Sequence, residues 1–469
     1  MRLLAWLLLC SMPLVGAPRW QKRVQALMNS PAARLATWGI EVVDTASGKP
    51  LYQWNSHKLL TPASNVKLLT TALALTRLGP SYRFTTTVVR EGDDLVLEGR
   101  GDANLSGRPI PYDPHGTPGD PLIVIDDLAA QIAAAGVKQV TGNIVGDDRA
   151  FDYEPTPDGW SYEDALDDDG PPVSALCVND NVIHLLLTDV GGVPKVELFP
   201  ALPVFELDNR LQPAGPKQVF WTRDQGTYRL LITGSLPPGA AEDIRIAVGD
   251  PARFAALALR ESLLRHGVEV RGAAEARHVY PGEHYAPRPA TPLATHQSPP
   301  LFEDLRVTDK VSQNLHAELL LRTVARETAG HGSLAAGLDA LHAFLGGLGI
   351  PAEEYDLHDG SGLSRQDLVT PDALITLLQA MRKSPQAGAW RSLLPVSGVD
   401  GSLRERLGQA SEGKVMAKTG SLMHVAALSG YARTRAGREL TFSIIVNHYH
   451  GPSAEVRSVI DQMLRAIVE

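Results

Sequence analysis

Residues 61–69 of this chain are Thr61-Pro62-Ala63-Ser64-Asn65-Val66-Lys67-Leu68-Leu69, and the apolar run continues to Leu75. Such a run predicts a helix that begins near Ser64 and is buried on almost every side. Ser64 and Lys67 are three residues apart, so a helix places both side chains on one face. The free N–H groups and the dipole at a helix start favour a negative charge that develops at Ser64. Because burial lowers the pKa of a lysine, the stretch predicts a serine nucleophile with Lys67 as its base.

Two further motifs follow in the order that acyl-serine enzymes require. Ser312-Gln313-Asn314 precedes a predicted helix, and Lys418-Thr419-Gly420 precedes a strand-like segment. A second Ser-x-x-Lys copy, Ser411-Glu412-Gly413-Lys414, contains a glycine and lacks an apolar helix behind it, so we interpret it as a solvated turn. Each motif alone is compatible with a structural role, such as a helix N-cap for Ser64. Their joint occurrence in this order indicates catalysis.

Composition and charge exclude several classes of protein. The chain has 469 residues, enough for roughly three domains, and a formal net charge of -9 at pH 7. An acidic balance argues against a nucleic-acid partner. Two cysteines are too few for a disulfide-dense scaffold or a cysteine-based zinc site. The histidines show no His-Glu-x-x-His spacing, so we expect neither a metal nor a cofactor in the reaction.

The first residues predict export. Arg2 precedes an apolar run, and Val15-Gly16-Ala17 supplies the small residues of a cleavage site, as is typical of a secretory signal peptide. We therefore expect residues 1–17 to be removed and the mature protein to be periplasmic. The alternative is a lipoprotein acylated at Cys10, but Leu9 stands where such signals have a small residue. No later apolar stretch approaches the about 20 residues that span a bilayer, so no integral membrane segment is expected.

The coarse pattern along the chain predicts an α+β fold with insertions. Strand-like runs lie on the N-terminal side of the Ser64 helix, and others close the chain at 425–434 and 439–446. A long β-rich middle separates the first motif from the second, and a proline-rich boundary lies at 281–300. Residues 155–172 are rich in proline, glycine and acids, and we predict a solvated loop there because the spacing does not fit a calcium loop. One domain built from both chain ends, with other domains inserted, accounts for this order.

With its three motifs, the chain resembles the penicillin-binding DD-carboxypeptidases and endopeptidases of the PBP4 type, peptidase family S13. The resemblance extends over nearly the whole mature chain. It includes further segments, namely Gly99-Arg100-Gly101-Asp102, Gly142-Asn143-Ile144-Val145-Gly146-Asp147, Val173-Ser174-Ala175-Leu176-Cys177-Val178-Asn179, Ser298-Pro299-Pro300-Leu301, Asn314-Leu315-His316-Ala317-Glu318, Asp359-Gly360-Ser361-Gly362-Leu363-Ser364-Arg365 and Gly398-Val399-Asp400-Gly401-Ser402-Leu403.

The resemblance implies a domain plan. A penicillin-recognising, β-lactamase-like domain would consist of an antiparallel sheet with helices, interrupted by two nested β-rich domains. We expect the catalytic domain at 18–85 and 288–469. The first inserted domain would occupy 86–171 and 250–287, and the second, nested within it, would occupy 172–249.

The resemblance also implies catalytic roles for Ser64, Lys67, Ser312, Asn314 and Lys418. Neutral Lys67 would accept the Ser64 proton, and the backbone N–H groups of Ser64 and Ser421 would stabilise the oxyanion. Ser312 would pass a proton to the leaving D-amino acid. Asn314 would orient the peptide and hydrogen-bond to Lys67. Gln313 stands where related enzymes have aspartate, which has little effect because only the outer two residues of that motif face the reaction.

The expected substrate-binding residues are Thr419, Gly420, Ser421, Asp147, Arg365 and Met423. Lys418 and Thr419 would bind the terminal carboxylate of the substrate. In the family, a pocket beside the cleft binds the free end of diaminopimelate. Asp147 matches its acidic position, Arg365 matches its carboxylate-binding position, and Met423 would line its wall.

The implied function is a serine DD-peptidase that acts on peptidoglycan stem peptides through an acyl-Ser64 intermediate and is acylated by penicillin. A β-lactamase is a rival, but no Glu-x-x-Asn for deacylation lies between Asn314 and Lys418. A non-enzymatic envelope scaffold and an esterase on the same fold are further alternatives. The balance of carboxypeptidase and endopeptidase activity and the oligomeric state stay open.

Overall fold

The computed structural model describes most of the chain, namely residues 18–224, 226–283, 285–286, 290–408 and 411–469. The predicted signal peptide at 1–17 lies outside the described residues, as does the predicted domain boundary between residues 287 and 288. None of the described helices combines the length and the apolarity that crossing a bilayer requires.

A five-stranded antiparallel sheet joins the two ends of the chain, as the strand-like runs predicted. Across the sheet, the strands are Pro50–Trp54, Thr37–Asp44, Glu439–Asn447, Val425–Arg433 and Val415–Leu422. The three middle strands are almost wholly buried, because helices cover both faces of the sheet. The helices Arg19–Met28 and Ser453–Val468 cover one face.

The other face of this sheet packs against the predicted Ser64 helix, which spans Val66–Arg77. Every residue from Val66 to Leu75 is buried, including the charged Lys67. The helices that surround it are Leu301–Lys310, Asn314–Ala329, Leu334–Gly347, Pro371–Lys383 and Ala387–Leu393. The Val66–Arg77 helix therefore lies at the centre of this domain, and the sheet and the neighbouring helices bury its first turn.

The chain between the first two motifs forms a second, mixed sheet. Its strands, in order, are Ala274–Arg277, Ile144–Asp147, Asp94–Glu98, Thr85–Glu91 and Ala294–Gln297. The helices Ile123–Ala134 and Pro251–Arg265 pack into the hydrophobic core beside it. The last strand lies beyond residue 287, so this sheet includes residues that the domain prediction gave to the catalytic domain.

Two three-stranded sheets form the predicted nested region. One is Val193–Phe199, Val182–Val190 and Ala241–Ala247, and the other is Glu206–Asn209, Arg229–Ser235 and Gln218–Arg223. Their buried residues share one hydrophobic cluster with the mixed sheet. The remaining strand pairs are Gln139–Val140 with Glu269–Val270, Asp102–Leu105 with Leu176–Val178, and Tyr355–Asp356 with Leu368–Val369.

Candidate active site

The first motif places a serine and a lysine in hydrogen-bond contact. Ser64 lies in the short 3-10 turn Ala63–Asn65 that leads into the helix, and 2.9 Å separates Lys67 Nζ from Ser64 Oγ. Lys67 Nζ also donates to Asn314 Oδ1 at 2.5 Å and to the Ser361 carbonyl at 2.7 Å. A neutral amine has two N–H donors and one lone pair. In the ammonium form, Lys67 donates to all three partners. In the neutral form, two N–H groups remain for Asn314 and Ser361, and the lone pair can accept from the Ser64 hydroxyl.

Burial favours the neutral form of this lysine. Lys67 is fully buried, and the loss of solvent lowers its pKa to about 8, although nearby carboxylates such as Asp359 and Glu318 raise it. At pH 7 about one tenth of Lys67 is therefore neutral, and at pH 8 about half. An ordinary exposed lysine would be almost wholly protonated.

The second and third motifs meet beside this pair. Lys418 Nζ donates to Ser312 Oγ at 2.7 Å and to the Thr419 carbonyl at 2.9 Å. Ser312 has a φ of 69°, a left-handed conformation that costs free energy in a non-glycine residue. Burial lowers the pKa of Lys418 well below its ordinary value, and repulsion from Lys67 adds to the effect. Strained backbone and a buried lysine beside a hydroxyl are features of a site built for chemistry.

A buried carboxyl, Asp309, interacts with both lysines. Asp309 is fully buried, and burial raises its pKa to about 7. Several neighbours oppose this rise, and the positive charge of Lys418 has the largest lowering effect among them. Its Oδ2 accepts a hydrogen bond from Thr71 Oγ1 at 3.1 Å. Its negative form therefore compensates one positive charge shared between Lys67 and Lys418.

Close packing fixes the third motif against the first. A Cβ on Gly420 would lie 2.7 Å from the Pro62 carbonyl oxygen, so only glycine lets this strand approach the Ser64 turn. Asn65 Nδ2 donates to the Lys418 carbonyl at 3.3 Å. Thr419 Oγ1 donates to Ser402 Oγ at 2.8 Å.

Together these residues form an open cleft of about 460 Å³. Seven of the predicted site residues line it, namely Ser64, Ser312, Asn314, Arg365, Thr419, Ser421 and Met423. Lys67 and Lys418 lie buried beneath the cleft and are hydrogen-bonded to residues that line it, Lys67 to Ser64 and Asn314, and Lys418 to Ser312. The cleft thus presents two hydroxyls, each backed by a buried lysine.

Comparison with known proteins decides the family. The sequence model of the D-Ala-D-Ala carboxypeptidase 3 (S13) family matches residues 20–467. The chain belongs to the S13 family. The predicted family and the predicted enzyme class, a serine peptidase, are confirmed.

Relatives and solved structures support the assignment. This S13 peptidase is 37% identical over 456 residues to a D-alanyl-D-alanine carboxypeptidase of Actinomadura sp. (strain R39), covering 92% of this chain and 81% of that protein. It is 27% identical over 412 residues to the carboxypeptidase DacB of Haemophilus influenzae, covering 84% and 82%. The crystal structure of penicillin binding protein 4 (dacB) from Haemophilus influenzae matches with a TM-score of 0.79 at 23% identity, covering 95% and 98%. That likeness confirms the predicted fold class.

One predicted site residue of the S13 peptidase lies elsewhere. Asp147 ends a strand of the mixed sheet and lines a separate cavity with Arg149 and Tyr285, not the cleft of Ser64. Its carboxylate accepts hydrogen bonds from Arg149 and forms an ion pair with Arg277. The structure therefore does not bring Asp147 into the lining of the cleft, because its local arginine partners hold it within the mixed sheet.

The acidic loop at 155–172 corrects a second prediction. Instead of a wholly solvated loop, it places Asp164 and Asp169 in the lining of the cleft. The Asp169 carbonyl accepts a hydrogen bond from Asn314 Nδ2 at 2.7 Å, and Asp164 forms an ion pair with Arg365 at 2.8 Å. Burial and the neighbouring acids raise the pKa of Asp169. The sequence offered no periodic pattern that would have placed this loop.

A buried loop, residues 359–364, packs against the Ser64 turn. The Asp359 carboxylate accepts hydrogen bonds from the backbone N–H groups of Ser361, Gly362 and Ser364. This loop also supplies the Ser361 carbonyl that binds Lys67. Its residues were noted in the sequence only as part of the resemblance, and their role in positioning Lys67 follows from the structure.

Gly362 offers a direct test of this support. Its φ is +79°, and a Cβ there would lie 2.0 Å from the Ala63 carbonyl oxygen. We expect Gly362→Ala to lower the free energy of unfolding by about 3 kcal/mol and to slow acylation of Ser64, because the turn must move. Gly437→Ala is the matched control, with a φ of +83° and nothing within 4 Å of the added Cβ, and should cost about 1 kcal/mol. Urea unfolding measures both, and equal losses would show that the contact with Ala63 is unimportant.

Behind the second motif lies a buried charged cluster that the sequence did not reveal. His316 is fully buried, with 3.0 Å between its Nε2 and Asp180 Oδ1 and 2.5 Å between its Nδ1 and Asp304 Oδ1. Burial lowers the pKa of His316, but the two aspartates raise it overall to about 9. Gln313 turns away from the cleft and donates to Asp180 Oδ2 at 3.3 Å. The cluster therefore holds the middle residue of the motif, and with it the strained Ser312.

The second Ser-x-x-Lys copy lies apart from this site. Ser411 and Lys414 line a different cavity, with Arg435 and Glu469. Residues 412–414 are exposed, as the interpretation as a solvated turn predicts, whereas Ser411 itself is buried.

Proposed function

We propose that this S13 peptidase cleaves the bond after the penultimate D-alanine of peptidoglycan stem peptides through an acyl-enzyme at Ser64. The observation that supports the proposal best is the environment of Lys67. Lys67 Nζ contacts Asn314, Ser361 and Ser64 at once, so in its neutral form two N–H groups can serve Asn314 and Ser361 while the lone pair accepts the Ser64 proton. The same contacts would orient the amine at each turnover.

Acylation would begin with proton transfer from Ser64 to Lys67. Ser64 Oγ then attacks the carbonyl carbon of the penultimate D-alanine. The backbone N–H groups of Ser64 and Ser421 would stabilise the oxyanion, a contribution that is largest in the transition state. Both residues line the same cleft, and Gly420 allows their two segments to approach closely.

The second hydroxyl would protonate the leaving group. Ser312 Oγ is hydrogen-bonded to Lys418 Nζ, so a proton given to the leaving amine can be replaced from the lysine. Before deacylation, Lys67 gives up to solvent the proton that it took from Ser64, and Lys418 takes up a proton in place of the one it lost. Neutral Lys67 then accepts a proton from the attacking water and transfers it to Ser64 Oγ as the ester bond breaks, which regenerates Ser64. No step requires a metal or a cofactor.

The terminal carboxylate of the substrate would bind at Lys418 and Thr419. An arriving carboxylate favours the charged form of Lys418, so its lowered pKa in the free enzyme would rise on binding. Thr419 donates to Ser402 in the free enzyme and can turn its hydroxyl to the ligand.

For the substrate side chain, we propose a pocket of Arg365, Met423 and the acidic loop. A diaminopimelate end has an ammonium and a carboxylate, which require an acid and a base placed apart. Arg365 lines the cleft with about half of its side chain exposed. Asp164 and Asp169 take the acidic role that the sequence prediction gave to Asp147. Met423 is 75% exposed and would cover the apolar stem of the ligand.

Arg365→Ala tests this pocket. We expect kcat/KM for a diaminopimelate-containing peptide to fall by about 10–100-fold, because one charged hydrogen-bonding partner is lost. The rate of acylation by penicillin should stay within about twofold of the wild-type rate, because a simple penicillin has no group that reaches Arg365. Asp147→Asn is the matched control and should leave both rates unchanged, since Asp147 lies outside the cleft. An equal loss of penicillin acylation in Arg365→Ala would contradict the assignment.

The proposal extends to β-lactams. A solved structure of penicillin binding protein 4 from Haemophilus influenzae, described as complexed with a novel β-lactam, has the same fold at a TM-score of 0.75 and 22% identity, covering 95% of this chain and 99% of that one. We propose that penicillin acylates Ser64 here and that deacylation is slow, in contrast to a β-lactamase.

We also propose that the leader at residues 1–17 directs the enzyme to the periplasm and that residues 86–287 form the inserted domains.

Digestion of purified sacculi tests the proposed function. Release of D-alanine from pentapeptides indicates carboxypeptidase activity, and conversion of cross-linked dimers to monomers indicates endopeptidase activity. A scaffold protein would release neither product. An esterase would hydrolyse a short acyl ester in preference to a D-Ala-D-Ala peptide. Mass spectrometry of the sacculus products, together with a parallel assay on the short acyl ester, distinguishes all four outcomes.

A further inference from the structure

A second polar cluster lies outside the cleft, where three distant chain segments meet. His57 follows the strand Pro50–Trp54, Glu354 lies in a 3-10 turn, and Asp372 is in the first turn of the helix Pro371–Lys383. One side-chain ligand atom from each lies within 4.8 Å of the other two. His57 Nδ1 is 2.8 Å from Glu354 Oε1. None of these three residues lines the cleft of Ser64.

A fourth acidic residue points to a missing partner. Glu41 is only 2% exposed, and its Oε2 has no hydrogen-bond partner. Its Oε1 accepts from Gln53 Nε2 at 2.9 Å. Asp372 approaches the Glu41 carboxyl as closely as a hydrogen-bond partner would, and Asp372 and His57 are among the charged groups that act on Glu41. Two carboxylates in contact repel each other unless a proton or a cation is shared.

The charge of the cluster is not balanced by protein groups. Three carboxyl groups, of Glu41, Glu354 and Asp372, face one imidazole. Among the ion pairs of the described part of the chain, no lysine or arginine contacts any of the three. A half-buried group of acids with this excess of negative charge requires either protonation or a bound cation.

We propose that His57, Glu354 and Asp372 bind one zinc ion, with the Glu41 carboxylate beside it. An imidazole nitrogen together with carboxylate oxygens is a donor set that Zn²⁺ accepts, whereas Ca²⁺ and Mg²⁺ prefer oxygen alone. Thr370 donates to the second oxygen of Glu354, which orients that carboxylate toward His57.

The ion would have a structural role near the nucleophile. His57 belongs to the segment that continues to Thr61 and the Ser64 turn. The backbone of this segment is bonded to the Asp372 region through the pairs Asp372–Ser56 and Leu60–Val369. An ion held by residues of both segments would fasten them together and take no part in peptide cleavage.

The test uses the purified full chain, stripped of metal with a chelator and titrated with zinc chloride. We expect one tightly bound zinc per chain and a thermal midpoint that rises by a few degrees. His57→Ala removes an exposed side chain and should fold normally. It and Glu354→Gln, which keeps an acceptor for Thr370, should each bind zinc at least about tenfold more weakly.

The control is His358→Ala, because His358 pairs with Asp356 at 3.5 Å and is not one of the three residues of the cluster. This variant should bind zinc as wild type does. If wild type gains no stability from zinc, or if His57→Ala responds as wild type does, the proposal fails and a shared proton accounts for the Glu41–Asp372 contact.

Discussion

Ser64→Ala is expected to reduce D-alanine release from a D-Ala-D-Ala peptide by about 10⁴-fold or more. The variant loses the atom that forms the acyl-enzyme, and neither Lys67 nor Ser312 can replace it. Substrate binding should be nearly unchanged, because the carboxylate contacts at Lys418 and Thr419 remain. Steady-state release of D-alanine, followed with a coupled amino-acid oxidase, gives kcat directly.

The matched control for this variant is Ser411→Ala. Ser411 belongs to the second Ser-x-x-Lys copy but lines a different cavity. Its replacement should leave kcat within about twofold of wild type. If Ser411→Ala lost activity and Ser64→Ala did not, the choice between the two copies would be reversed.

The second large effect is expected at Lys67. Replacement of a general base costs about 10²–10⁴-fold, so Lys67→Met should lower kcat/KM by about 10³-fold. In the wild-type enzyme, only the neutral form of Lys67 can act as a base. Because the pKa of Lys67 is lowered to about 8, the neutral form is lost as the pH falls through 8. The pH profile of kcat/KM should therefore rise with a midpoint near 8 and fall about tenfold for each pH unit below it.

The profile of the variant separates this role from a structural one. Lys67→Met should lose the rising limb, whereas the surface variant Lys383→Met should keep both the rate and the limb. A rising limb that persisted unchanged in Lys67→Met would assign the base to another group, and Lys418 would be the first alternative.

The parts of the fold that the sequence predicted are those with a local or paired pattern. The apolar run after Ser64 identified a buried helix, and spacing of three placed Lys67 beside the nucleophile. Strand-like runs at both chain ends predicted one domain built from them. Family resemblance then supplied the order of the motifs and the insertion between them.

The residues that were missed depend on packing between distant segments. Asp309 and Asp359 act because they are buried, and nothing in their neighbouring sequence shows that burial. Asp169 reaches Asn314 from a loop that has no periodicity. Asp147 was assigned from its position at a strand end, which fits the family pattern, whereas its arginine partners and its separate cavity become visible only in three dimensions.

The most direct test of the central claim is to incubate the purified enzyme with penicillin and map the adduct by peptide mass spectrometry. The account predicts one penicilloyl group per chain, on the peptide that contains Ser64, which persists for many turnover times. An adduct on Ser312, Ser411 or any other residue, or rapid release of hydrolysed penicillin without an adduct, would contradict it.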